Sequence, residues 1–174
     1  MLSPGEISSM SKMVEYVLQF PTNVFSIGAL PNRYVFTDAS NEGLGVVIFA
    51  NGRVEVHSRP WSPFERPLAI NVKEAIAACQ GIVWLSPSPT ETVFLGVDNT
   101  VAFFEIISGQ SANEVANECV GIIRRSSALA LTWIPTQLMP ADGPSRLCLD
   151  PSIRWKIVTI LGNVTRYVFL PALV

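Results

Sequence analysis

The chain contains only four aspartates, Asp38, Asp98, Asp142 and Asp150. Asp38 ends the apolar run "YVFTD", and Asp98 ends a second run, "TVFLGVD". Glu74 lies in "NVKEAIAA", a segment rich in good helix formers. Asp142 falls in the proline-punctuated "MPADGPSR", just after a third apolar run, "ALALTWIPT". Each acid has an ordinary explanation. Asp38 with Ser40 and Gly43 makes a turn. Glu74, three residues after Asn71, closes a capping box. Asp98 caps the helix that follows it, and Asp142 sits between Pro140 and Gly143 as a turn residue. The alternative is joint. Carboxylates gathered at one place repel unless a cation neutralises them. Oxygen-only ligands suit Mg²⁺ or Mn²⁺. Two such ions roughly 4 Å apart activate a water and stabilise the leaving oxygen in phosphodiester hydrolysis.

Whether the acids meet depends on the elements that carry them. "RYVFTDAS" reads as a strand, and "LGVVIFANGRVEVHSRPW" as two more joined by Asn51-Gly52, a strong hairpin signal. "AINVKEAIAACQGIVWL" reads as a helix with Asn71 as N-cap, its small residues allowing close approach to a sheet. "TVFLGVDN" is apolar throughout, as a strand covered on both faces would be. Two helices follow, "NTVAFFEIISG" and "SANEVANECVGIIRRSS", the second starting from a Ser111–Glu114 capping box. "ALALTWIPT" is a further buried strand, and "SIRWKIVTIL" an amphipathic piece. Hairpin-linked strands followed by right-handed crossovers predict an α/β fold. Its mixed five-stranded sheet has order 3-2-1-4-5, strand 2 antiparallel, and helices on both faces. Asp38 and Asp98 then emerge at one edge, at the carboxyl ends of parallel neighbours, where such sheets place their sites. Asp150 is the fallback for Asp142.

The 174 residues allow one domain with a sizeable core and further segments at its ends. Residues 1–30 read as a linker or connection segment, with "MSKMVEYVLQF" as a short helix candidate. Residues 31–148 read as the catalytic domain, and 149–174 as an extension packing on the domain or on a partner. Apolar residues make up 49% and charged ones 15%, a balance that suits a domain leaning on a partner surface. No apolar run predicts a membrane span, and no signal-peptide layout is visible. Cys79, Cys119 and Cys148 are odd in number and lack metal-ligand spacing, which reads as free thiols in a reducing compartment. Asn163-Val-Thr165 matches a glycosylation acceptor, without meaning unless the chain is secreted. The net charge of −2 argues against tight free-standing binding of nucleic acid. Removing the four proposed ligands from the 14 acids reverses the balance to +2. Arg124, Arg125 and Arg146 are the nearest approach to a basic patch.

"TDAS", "NVKEAIAA", "GVDNTVAF" and "WIPTQLMPADGPSR", in this order, resemble the ribonuclease H domain of reverse-transcribing elements. The resemblance covers about residues 33–147. It is nearest to tyrosine-recombinase-type retrotransposons and the hepadnavirus-like branch, where a P-A-D-x-P-S-R ending is typical. It implies a metal site of Asp38, Glu74, Asp98 and Asp142 holding two Mg²⁺ or Mn²⁺ ions. Asp38 would bridge both ions, Glu74 and Asp98 would help hold one, and Asp142 the other. It implies endonucleolytic cleavage of RNA in RNA–DNA hybrids, leaving 3′-hydroxyl and 5′-phosphate ends. Ser40, Asn41, Asn71, Asn99 and Arg146, beside the acids, become substrate contacts, the polar ones as readers of the 2′-hydroxyl. The implied partners are the hybrid and a reverse transcriptase domain of the same polyprotein, in an intracellular replication complex, cytoplasmic or nuclear, with no membrane. The loop "PTQLM" lacks the histidine of cellular relatives, Met139 stands where Asn is common, and the basic protruding helix is absent. The lone His57 falls on the third strand. A catalytically silent scaffold or nucleic-acid clamp of this fold is the main alternative. Another nuclease of the superfold, such as a resolvase or exonuclease, is a third.

Overall fold

The computed structural model describes residues 31–163 and 167–173. The expectations for residues 1–30 and for Asn163-Val-Thr165 lie wholly or partly outside those residues. Strands β1 (Arg33–Ala39), β2 (Gly43–Ala50) and β3 (Arg53–Pro60) form an antiparallel meander. Asn51 and Gly52 take positive φ at the β2–β3 turn, as the hairpin signal requires. Helix α1 (Ile70–Leu85) leads to β4 (Thr92–Val97), which pairs parallel to β1. Helices α2 (Thr100–Ser108) and α3 (Glu114–Ser126) lead to β5 (Ala128–Trp133), parallel to β4. A 3₁₀ turn (Thr136–Leu138), a short helix α4 (Asp142–Ser145), helix α5 (Ile153–Asn163) and strand β6 (Val168–Leu170) complete the order.

The sheet has the predicted core order with one addition, β3-β2-β1-β4-β5-β6. The expectation of five strands is corrected to six. β6 is three residues long and pairs antiparallel with β5, too short to be read from periodicity. It brings the 149–174 segment into the sheet, and Leu173 N–H donates to Arg124 O.

Alternation along β1 divides the core. Val35 points to one face, with Ala77, Ala78, Ile82, Ile106, Val120 and Ile123 of α1, α2 and α3. Tyr34 and Phe36 point to the other, with Ile134, Met139, Ile153, Ile157 and Ile160 beneath α5. Both faces are covered, which is why β1, β4 and β5 read as continuous apolar runs.

Three capping expectations fail. The N-cap of α1 is Ala69, with no side-chain cap, and Asn71 lies inside the first turn. The Ser111–Glu114 box does not form, because Asn113 caps α3 through Val115 and Ala116 N–H, while Ser111 Oγ donates to Glu105. Asp98 does not cap α2. Asn99 does, accepting from Val101 and Ala102 N–H. At α2 and α3 a neighbouring asparagine takes the free amides, whereas α1 has no side-chain cap. Arg124 is no surface cation, being buried and donating to Ile106 O, Ile107 O and Pro171 O. His57 lies on β3 as expected, its ring 5.0 Å from that of Trp84.

Gly45, opposite Asp38 in the β1–β2 register, marks a close approach of the α4 turn to the site edge. A Cβ there would meet Ser145 N at 2.4 Å and Ala141 O at 2.5 Å, both backbone atoms of the α4 turn. Gly45→Ala is therefore expected to destabilise by about 1–3 kcal/mol through overpacking, read as a lower urea midpoint at unchanged m-value.

Candidate active site

β1 and β4 place Asp38 and Asp98 level with each other. Phe36 pairs with Gly96, and each acid lies two residues further on. Glu74 arrives from the beginning of α1, and its carboxylate accepts a hydrogen bond from Ala39 N–H. Each of the three offers one carboxylate oxygen, and these oxygens all lie within 4.8 Å of one another. Asp38 and Glu74 are each only 5% exposed.

Burial pushes Asp38 up to about 7, with the charges of Asp98 and Asp142 adding to it and a hydrogen bond from Ser145 opposing. Burial likewise raises Glu74 to about 9, assisted by Asp38 and Asp98 and opposed by the Ala39 amide. Such a set fits a hard divalent cation. Its donors are all oxygen, it is convergent, and it is strained by its own charge. No ion pair reaches Asp38 or Glu74 among the described residues.

Asp98 is tied from two sides. Thr136 Oγ1 donates to its Oδ2 at 2.8 Å, and Trp133 Nε1 donates to its backbone carbonyl at 2.7 Å. Thr136 belongs to the loop in which the expected histidine is missing. Ser145 is fully buried, its Oγ 2.8 Å from Asp142 O and also hydrogen-bonded to Asp38. These three residues were not singled out as functional from sequence. Their only signal was a place in "WIPT" and "PADGPS", the segments leading into and through the last acid.

The fourth predicted acid, Asp142, lies near enough for its charge to act on Asp38, yet outside the convergent trio. Its Oδ1 accepts from Arg146 Nε at 3.2 Å and Nη2 at 3.0 Å. The fallback, Asp150, is committed elsewhere: Lys156 donates to it at 2.9 Å, and Ser152 also bonds it. Among the suggested substrate contacts, Ser40 is buried with its Oγ 2.7 Å from Ser145 O and Glu42 Oε2. Asn41 is exposed, Asn71 is half-buried, and Asn99 spends its carbonyl oxygen on the α2 cap.

Because Asp38 and Glu74 hold their protons more tightly folded than unfolded, folding takes up protons above pH about 4. This contribution to stability is complete below the unfolded values. It is lost as pH rises through about 7 for Asp38 and about 9 for Glu74. The metal-free protein should therefore melt at progressively lower temperature as pH is raised across that window. Mn²⁺ should restore the melting temperature, and more strongly at the alkaline end. Glu74→Gln should flatten the upper part of the profile. A metal-free melting temperature that rises over the same window would contradict the burial of these acids beside one another.

No family model matches the sequence. Protein P of a hepatitis B virus genotype G isolate is 30% identical over 148 residues, covering 79% of this chain and 15% of that protein. Protein P of a genotype D, subtype ayw isolate is 32% identical over 123 residues, covering 67% of this chain and 12% of the relative. The chain thus spans less than one sixth of the length of these relatives. Among solved structures, the N-terminal RNase H domain of rv2228c from Mycobacterium tuberculosis superposes with a TM-score of 0.51 at 14% identity. That match covers 68% of this chain and 98% of the other. The sheet order and the superposition give the chain a ribonuclease H fold, and the two sequence matches relate it to a segment of the hepatitis B virus Protein P.

Proposed function

We propose that this domain is a divalent-metal-dependent endoribonuclease that cuts the RNA strand of RNA–DNA hybrids during reverse transcription. The observation that carries the reading is the convergence of Asp38, Glu74 and Asp98 at the carboxyl edge of the parallel strands. A domain of this fold serving only as a scaffold gains nothing from holding three repelling carboxylates there.

When bound, two Mg²⁺ or Mn²⁺ ions would neutralise charge at the phosphodiester and activate a water. The chain's own part is positioning. Asp38 sits near the end of β1 with a carboxylate oxygen within 4.8 Å of one from Glu74 and one from Asp98. Glu74 is anchored through Ala39 N–H. Thr136 fixes the orientation of Asp98. Asp142 completes the ligand set once its Arg146 partner is drawn away, and a hybrid phosphate is the natural competitor for that guanidinium. Asn41 and Asn71 keep free polar groups near the acids and suit recognition of the 2′-hydroxyl. The rest of a longer polyprotein, with a reverse transcriptase domain, would raise the effective concentration of hybrid inside a replication complex. Among the described residues no helix is long and apolar enough to cross a membrane.

The test is incubation with end-labelled RNA–DNA hybrid, with and without Mg²⁺ or Mn²⁺. The expected result is metal-dependent cutting of RNA only, abolished by Asp98→Asn. Thr136→Val, which removes a partner of a ligating carboxylate, should reduce the rate about 10–100-fold with the fold intact by circular dichroism. Hybrid bound but left uncut at every metal concentration would point instead to the silent clamp.

A further inference from the structure

The domain has few cations left for a phosphate backbone. Arg33 pairs with Glu91, Arg59 with Glu65, Arg146 with Asp142, and Lys156 with Asp150. Arg124 is buried on backbone carbonyls. Arg66 donates to Trp61 O and Lys73 is buried over the Trp61 ring, so seven of the ten lysines and arginines among the described residues are engaged internally, and the site edge offers little of the charge that usually dominates affinity for nucleic acid. Some other interaction must hold a hybrid there.

Four tryptophans are available, and their environments differ. Trp61 is 2% exposed, and its Nε1 donates to Ser40 O. Trp84 lies against His57. Trp155 is exposed on α5, on the face turned away from the core residues Ile153, Ile157 and Ile160. Trp133 alone is both exposed and bonded to one of the three convergent acids. It is the last residue of β5, its Nε1 is 2.7 Å from Asp98 O, and it is 44% exposed. The hydrogen bond fixes the indole by its polar corner and leaves nearly half of the side chain in water. Pro135, Thr136 and Gln137, which follow it, are also exposed, so the approach from solvent is open.

The geometry points to Trp133 as an aromatic platform for the nucleic-acid substrate, taking the sugar face of a nucleotide next to the phosphate held at Asp38, Glu74 and Asp98. The inference rests on the hybrid-nuclease reading above and adds to it the source of binding energy. A sugar face is the same whatever the base, so the contact favours affinity over sequence preference. Its strength should depend little on salt, unlike phosphate contacts.

Fluorescence anisotropy with a dye-labelled RNA–DNA hybrid in Ca²⁺ tests it, beside steady-state cleavage in Mg²⁺. Trp133→Ala should weaken hybrid binding and raise KM about 10-fold, and any fall in kcat from losing the indole N–H bond to Asp98 should be equal in Trp133→Phe. Trp133→Phe keeps a ring and drops the indole N–H, so it should keep most of the affinity. Trp133→Leu keeps apolar bulk without a ring and serves if the alanine variant misfolds. The slope of affinity against salt should be the same in all four proteins. Hybrid should quench the indole emission of the wild type, and that quench should be lost in Trp133→Phe. Wild-type affinity in the ring-free variants would overturn the proposal and leave the ring to a protein surface. Loss of kcat with affinity kept in both the Phe and Ala variants would overturn it too, making the indole only a tether for Asp98. Absence of any hybrid binding by the wild type would do the same. Trp133-dependent binding without cleavage would sink the nuclease reading and leave the platform standing.

Discussion

The repulsion among three carboxylates held within 4.8 Å is the constraint on which the rest of the site depends. Left alone, such groups would turn away into water. The fold prevents this by putting two of them on adjacent parallel strands in level register and the third on a helix that follows the meander. Burial of Asp38 and Glu74 removes the solvent that would screen them, and protonation is their only relief without a cation. The apolar core on both sides of the sheet supplies the stability that keeps this arrangement in place. A site so tuned is poised for a divalent ion.

The supporting contacts are short and local. Thr136 and Trp133 hold Asp98 from the end of β5, and Ser145 joins Asp38 to the α4 turn. Gly45 permits that turn to lie against β2. Asp142 belongs to this same turn, so its backbone is fixed even while its carboxylate is engaged by Arg146. The difference between the three convergent acids and the fourth is thus one of side-chain partner rather than of fold.

Much of this was legible in the sequence. The Asn51-Gly52 turn, the alternating and continuous apolar runs, and the helix-forming stretch around Glu74 were enough to order the first five strands and bring Asp38, Glu74 and Asp98 together. The signals that misled were the local ones. Asn71 and Ser111 looked like caps, yet Ala69 and Asn113 hold those positions, since capping depends on backbone geometry one or two residues either side. Arg124 read as surface charge, because nothing in "GIIRRSS" tells which arginine faces the carbonyls at the end of α2. Trp133 and Thr136 were visible as residues but not as contacts, since their partner lies 35 and 38 positions away along the chain.

Strand β6 has a wider consequence. The last motif of the candidate site ends at Arg146, but hydrogen bonding continues through Leu170, where β6 covers the outer edge of β5. Arg124 then binds Pro171 O, clasping the tail to the end of α3. The stretch that carries the chemistry and the stretch that folds cooperatively therefore have different boundaries. A domain cut at the motif would expose the unpaired backbone of β5, the strand that delivers Trp133 and leads into Thr136, as an adhesive edge.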